Sequence, residues 1–269
     1  MGRYYDTPRA GYSWRDYRIP TQVAVIEAFQ RLLPSDQKTI RELQEWLLQE
    51  KRTQAWDTPI NSVNAIYAFL KDNPNKLDAT GQTTTLSVDG KPLETSAATA
   101  GLGYVKTART YHGEQTLTTA KSSAGTSWGA VYAQFMQPVK DVAAQGSDLI
   151  VRRDIIPVGP SLKVGQRVKV RITLEAARDL DFVQVVDKRA ACMEPVQQLS
   201  GYRYGYYTAP RDHATCYYFD QLSKGRHVIE TEYYIDRAGT YETGTCTAQC
   251  AYAPEFRGTA RSQTLTVKE

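Results

Sequence analysis

The residues of this chain that could do chemistry are four cysteines, three histidines, scattered carboxylates and a cluster of tyrosines. Cys246 and Cys250 stand four apart in a segment with the composition of a strand, so their side chains share a face. At ~3.3 Å per residue they lie about 13 Å apart, too far to bond each other. Each thiol can pair only with one on another strand, with Cys192 and Cys216 as candidate partners. Free buried thiols are an equal alternative. A metal site is not expected, because no second close Cys pair and no His cluster completes a tetrahedral set. No cofactor is expected either, since the chain lacks a Gly-rich phosphate loop.

Catalysis is equally unsupported. His112, His213 and His227 sit in no Ser, Cys or Asp signature. Asp16 and Asp57 invite comparison with the paired acids of an α/α-barrel glycosidase. Asp57, however, precedes Thr58-Pro59 at a helix start, where capping or the helix dipole accounts for it. The chain reads as a protein that is not an enzyme.

The tyrosines are the one candidate recognition surface. Tyr202, Tyr204, Tyr206 and Tyr207, followed by Tyr217 and Tyr218, make up six of the chain's 18 tyrosines. The first four, beside Arg203 and Arg211, are candidate binding residues that would stack on glycan rings or anchor a protein partner. Packing in cross-strand positions of a sandwich is the competing account, and the favoured one.

Positioning these residues takes more than one domain. A length of 269 residues suits two or three, and 41% hydrophobic with 23% charged residues is ordinary for a globular chain. The net charge of +4 comes from scattered Lys and Arg, so no nucleic-acid partner is expected. No apolar run approaches the roughly 20 residues of a membrane span. The opening Met1-Gly2-Arg3-Tyr4-Tyr5-Asp6 is not a signal peptide, which taken alone points to the cytoplasm and, for a piece of a longer protein, says nothing of compartment.

The chain changes character at Pro74. Before it, Ile19, Val23, Ile26, Phe29 and Leu33 form one helical stripe that starts around Pro20 and stops at Pro34. Ser35 and Asp36 can start a second helix with Ile40, Leu43 and Leu47 on one face. Thr58-Pro59 starts a third, with Ile60, Val63, Tyr67 and Leu70 as its apolar face. From Thr83 the period drops to two, and Asp89-Gly90 is a hairpin turn. The run from Trp128 to Phe135 is apolar on both faces and predicts a central strand, and Gln145-Gly146-Ser147 reads as a linker. Arg167–Leu174, Phe182–Val186, His227–Ile235 and Ser262–Val267 then predict the strands of an Ig-like sandwich.

Five segments carry a family resemblance. Gly239-Thr240-Tyr241, leading through Cys246 and Cys250 to Tyr252-Ala253-Pro254-Glu255-Phe256, resembles the last domain of bacterial alpha-2-macroglobulin-like proteins. So does Asp187-Lys188-Arg189-Ala190-Ala191-Cys192-Met193-Glu194-Pro195. Trp56-Asp57-Thr58-Pro59 and the helix after it look like the end of that family's α/α-toroid thioester domain, with Tyr12-Ser13-Trp14-Arg15 as the end of an earlier loop. Trp128-Gly129-Ala130-Val131-Tyr132 is similar to a run in its CUB-like β-domain. The resemblance implies a multidomain α + β chain with final toroid helices over 1–74, a CUB-like domain over 75–146 and a macroglobulin-like sandwich over 147–269.

The family's thioester joins Cys and Gln of a C-x-E-Q motif early in the toroid. Cys192-Met193-Glu194-Pro195 has Pro195 in place of the Gln and lies in the final domain, so it makes no thioester. By resemblance, the chain is the non-catalytic C-terminal region of a protease-trapping inhibitor in the periplasm or on the cell surface. Its partners would be proteases, through the full-length parent, and upstream domains that pack on it. Two alternatives are a glycan- or protein-binding adhesion module and the back half of an α/α-toroid enzyme.

Overall fold

The computed structural model describes residues 2–5, 18–53, 58–71, 84–94, 107–122 and 129–269. The chain divides into two compact units. One holds residues 5–40 and 59–134, the other residues 1–4, 41–58 and 135–269.

Three helices form where the 3.6-residue period predicts them: α1 (Arg18–Leu32), α2 (Gln37–Thr53) and α3 (Pro59–Leu70). Pro59 opens α3 at the position where a missing N–H costs nothing. Asp36 caps α2 by accepting the Thr39 N–H at 3.1 Å. Ile19, Val23 and Ile26 of α1 are buried, as are Ile40, Leu43 and Leu47 of α2.

In the first unit α1 packs against α3, and Lys71 approaches Glu27 at 3.9 Å. The face that α3 buries is Asn61, Ala65 and Ala68, not the predicted apolar one. Ile60, Val63 and Tyr67 stay 65, 64 and 48% exposed. Small side chains let two helices approach closely, so the polar-and-small face wins the contact and leaves the large apolar one outside. Three helices do not make a toroid, and none is shown among the described residues. The resemblance segments at Tyr12–Arg15 and Trp56–Asp57, and the boundary at Pro74, lie outside the described residues.

The same unit carries a three-stranded antiparallel sheet, ordered β2-β1-β3, from β1 (Thr84–Val88), β2 (Lys91–Pro92) and β3 (Leu117–Lys121). Asp89 (φ 50) and Gly90 (φ 76) make the predicted hairpin turn, both in the left-handed region such a turn demands. The central strand expected over 128–135 does not form. Trp128 lies outside the described residues, and 129–138 run without regular structure, with Val131 75% and Phe135 72% exposed. Alternation creates two apolar faces, but a strand also needs a ladder partner, and none of the described residues pairs here.

The other unit is dominated by a two-sheet sandwich, preceded by a short 3-10 turn at Val139–Asp141. Its strands are β4 (Leu149–Pro157), β5 (Arg167–Ala176), β6 (Leu180–Lys188), β7 (Met193–Pro195), β8 (Gly201–Arg203) and β9 (Tyr206–Pro210). They continue as β10 (Ala214–Leu222), β11 (Gly225–Ile235), β12 (Gly239–Glu242), β13 (Cys246–Cys250), β14 (Arg257–Ala260) and β15 (Thr264–Val267). A six-stranded sheet, β14-β13-β6-β10-β9-β8, faces a four-stranded one, β4-β5-β11-β7, with β12 and β15 as a separate pair. All named strand pairs are antiparallel.

The core lies between the sheets. Val168, Val170, Ile172 and Leu174 of β5 meet Val183 and Val185 of β6, Tyr217 and Phe219 of β10, and Cys246, Ala248 and Cys250 of β13. The segment read as a linker is bound to this sandwich, because Gln145 exchanges backbone hydrogen bonds with Thr259 at 2.7 and 3.1 Å. Gly146 and Gly258 both let the Leu149 carbonyl come close, and a Cβ at either would clash with it.

Candidate functional site

The period-two backbone of β8, β9 and β10 sorts the tyrosines onto two faces. Tyr206 turns toward the core, 5.8 Å from the Tyr217 ring and 5.1 Å from that of Phe219, and burial pushes its phenol up. Tyr202 and Tyr207 sit directly opposite each other, as do Tyr207 and Tyr218. Their rings follow, at 5.1 Å and then 6.5 Å between centroids, on the outer face of the large sheet. Tyr204 stands fully exposed at the β8–β9 turn. Of the four predicted binding tyrosines, two therefore join one outward ladder, one is core and one is isolated. Tyr218 is the third ladder member.

Beside the ladder runs a shallow groove of about 230 Å³, lined by Phe182, Gln184, Tyr218, Asp220, Ala251 and Tyr252 among others. Phe182 has φ 55, a strained backbone for a residue with a large side chain, and the residue is 42% exposed. It meets Tyr252 edge to face at 5.3 Å. No sequence pattern marks Phe182 or Tyr252 as partners.

Between the sheets lies a polar site that the sequence reading missed. Arg153 of β4 has a 1% exposed side chain and Asp187 of β6 a 2% exposed one. Arg153 Nη1 donates to Asp187 Oδ1 and to the Lys188 carbonyl, each at 3.0 Å. Its Nη2 donates to Thr243 Oγ1 at 2.7 Å and to the Gly244 and Arg261 carbonyls at 2.6 and 2.9 Å. One guanidinium thus ties both sheets to the β12–β13 and β14–β15 connections, while its Nε finds no hydrogen-bond partner among the described residues. Burial pushes the Asp187 carboxyl up, against the opposing pull of Arg153. The hydroxyls of Thr215 and Tyr233 lie 2.8 Å apart next to it, and those of Tyr217 and Thr231 lie 2.6 Å apart. The site is enclosed and its acceptors are taken, so it clamps the sandwich and offers nothing to a substrate.

All four cysteines are free and buried. Cys216 and Cys246 flank β6, opposite Val186 and Asp187 respectively, so their side chains point to opposite faces of the sheet. They also sit two strand spacings apart, roughly 9.6 Å, which no disulfide spans. Burial pushes the Cys250 thiol up to about 12 and raises Cys192 and Cys246 as well. These are inert, protonated side chains. His227 lies within β11 with Nε2 2.7 Å from the Ser223 carbonyl, while His213 is exposed in the β9–β10 loop. No group of three or more His, Cys, Asp or Glu among the described residues could hold a metal.

The result is a two-sheet antiparallel sandwich with an ion pair buried between its sheets and aromatic rings on one outer face. Residues 139–255 match the family described as Bacterial Alpha-2-macroglobulin MG10 domain. Trypsin-activated alpha-2-macroglobulin from Escherichia coli is 13% identical over 94% of this chain and 19% of that one, with a TM-score of 0.49. The elastase-activated Escherichia coli protein gives 16%, 94%, 24% and 0.49. A Salmonella alpha-2-macroglobulin mutant gives 16%, 98%, 18% and 0.43. The chain therefore spans 18 to 24% of the length of these solved structures. None of the curated proteins matches it.

Proposed function

We propose that this chain is the non-catalytic C-terminal region of a bacterial macroglobulin-like protease inhibitor that acts by trapping. The observation that carries the proposal is the MG10 match over residues 139–255. The exposed apolar stripe of α3 supports it. Ile60, Val63, Ile66 and Tyr67 are each about half exposed or more, which suits a helix that packs against others in a longer parent. In this proposal residues 1–74 end an α/α-toroid, 75–146 form a CUB-like domain and 147–269 the final sandwich. At the end of the CUB-like segment, Gln145 is hydrogen-bonded to Thr259 of the sandwich.

The parent would act in the periplasm or at the cell surface, and no helix among the described residues is long and apolar enough to cross a membrane. The sandwich would bear no catalytic residue. Its function would be to pack against upstream domains and shift between two arrangements when a protease cuts the parent. The test mixes the full-length parent with a broad-specificity protease and compares residual cleavage of a large protein substrate with that of a small peptide. Loss of the first with retention of the second is expected. Equal cleavage of both overturns the trapping proposal for that protease.

A further inference from the structure

We infer that the outer face of the six-stranded sheet, where the Tyr202–Tyr207–Tyr218 ladder meets the Phe182–Tyr252 groove, binds a neutral glycan. The register builds this surface. Tyr202, Tyr207, Tyr218, Gln184, Gln249 and Arg257 form one unbroken cross-strand row over all six strands. At about 4.8 Å per strand the row is roughly 24 Å long, enough for several sugar rings. The groove crosses it at Tyr218 and Gln184, which belong to both.

The chemistry of the surface selects the ligand. A pyranose has apolar C–H faces and a rim of hydroxyls, so it needs ring faces beside uncommitted donors and acceptors. Tyr202, Tyr207, Tyr218, Phe182 and Tyr252 supply the rings. Among the described residues the side chains of Gln184, Gln249 and Asp220 make no hydrogen bond within the protein, so their amides and carboxylate are free for hydroxyls. Asp220 is the one charged side chain lining the groove, and it repels a phosphate or other anion. An extended peptide fits less well. The backbones of β6 and β10 already pair on both sides, leaving no ladder groups in the groove for a peptide to join. The strained backbone of Phe182, holding a ring at the surface, is the kind of local cost found at binding sites. This site is independent of the trapping proposal.

The test titrates maltohexaose, cellohexaose and N-acetylchitohexaose into the 269-residue chain by calorimetry. A dissociation constant of about 1 mM or tighter is expected for at least one of them. Tyr218→Ala and Gln184→Ala should each weaken it about tenfold, while Tyr204→Ala, outside the row, leaves it unchanged. Gln184→Ala removes only a solvated amide, so it decides the matter if Tyr218→Ala lowers the melting temperature. No heat with any of the three sugars overturns the inference. So does affinity that survives Gln184→Ala, and so does capture of casein peptides by the row with no sugar bound.

Discussion

Arg153 shows how much a single side chain can hold. It is charged, buried and bonded to β4's opposite sheet and to two connections at once. Forming such a pair gains little net stability, but breaking it strands a charge in the core. Arg153→Met is therefore expected to cost about 3–5 kcal/mol in urea unfolding, and adding Asp187→Leu should recover most of it. A loss under about 1 kcal/mol for the single change would mean the clamp is not what joins the sheets. The pattern was visible in part, since Leu149, Val151 and Arg153 alternate onto one face. A charge on that face reads as exposed until its partner, 34 residues away, is known.

The buried acids give a second residue-scale expectation. Burial, then Asp181 and Glu255, push Cys250 from 9.0 to about 12, while burial and Asp187 raise Cys246 well above 9.0. Tyr217 and Tyr233 are raised above 10.0 by burial. A folded value above the unfolded one means the folded state holds more protons between the two. The associated stability is present in full below about pH 9 and is lost as the pH climbs toward 12. Melting temperatures measured from neutral pH upward should fall once pH 9 is passed. The Cys246→Ala/Cys250→Ala variant should show a shallower fall, and an identical slope would remove the thiols as its source.

At the scale of elements, close approach sets the limits. Gly258 sits on β14 where the Leu149 carbonyl of β4 comes nearest, so Gly258→Ala must push two strands apart. Its expected cost is about 1–3 kcal/mol, the range of an overpacked core, read from the same urea curves. A neutral result would show that the β4–β14 approach can relax. On α3 the opposite holds. Val63→Gln on the exposed face should change the stability of this chain by no more than about 0.5 kcal/mol. The elements themselves were legible wherever period and neighbours agreed. β5 and β13 carry alternation that matches their ladders, and Pro59 and Asp36 start helices as their chemistry requires. Reading failed where period alone was available. Residues 129–135 alternate without a partner, and α3 has two faces able to pack, of which the smaller makes the contact. The tyrosine run was found as a cluster, but only the register separates Tyr206 in the core from Tyr202 and Tyr207 outside.

For the whole molecule, the decisive fact is where the core closes. Every member of the sandwich's buried apolar cluster lies between Leu149 and Val267, and the Arg153 clamp uses no residue outside that span. Residues 41–58 nevertheless share a compact unit with 135–269. These two observations give different expectations for a truncated chain. If core closure governs, residues 139–269 alone should unfold cooperatively, with a melting temperature within about 4 °C of the sandwich transition in the intact chain, or about 1 kcal/mol at this size. If α2 contributes, the fragment should melt lower, and restoring residues 41–58 should raise it again. We expect the first outcome, because the six- and four-stranded sheets bury their facing sides on each other and Gln145 already fastens the entering segment. Calorimetry of the fragment beside the intact chain separates the two. Loss of the cooperative transition would place part of the sandwich's stability in the upstream residues.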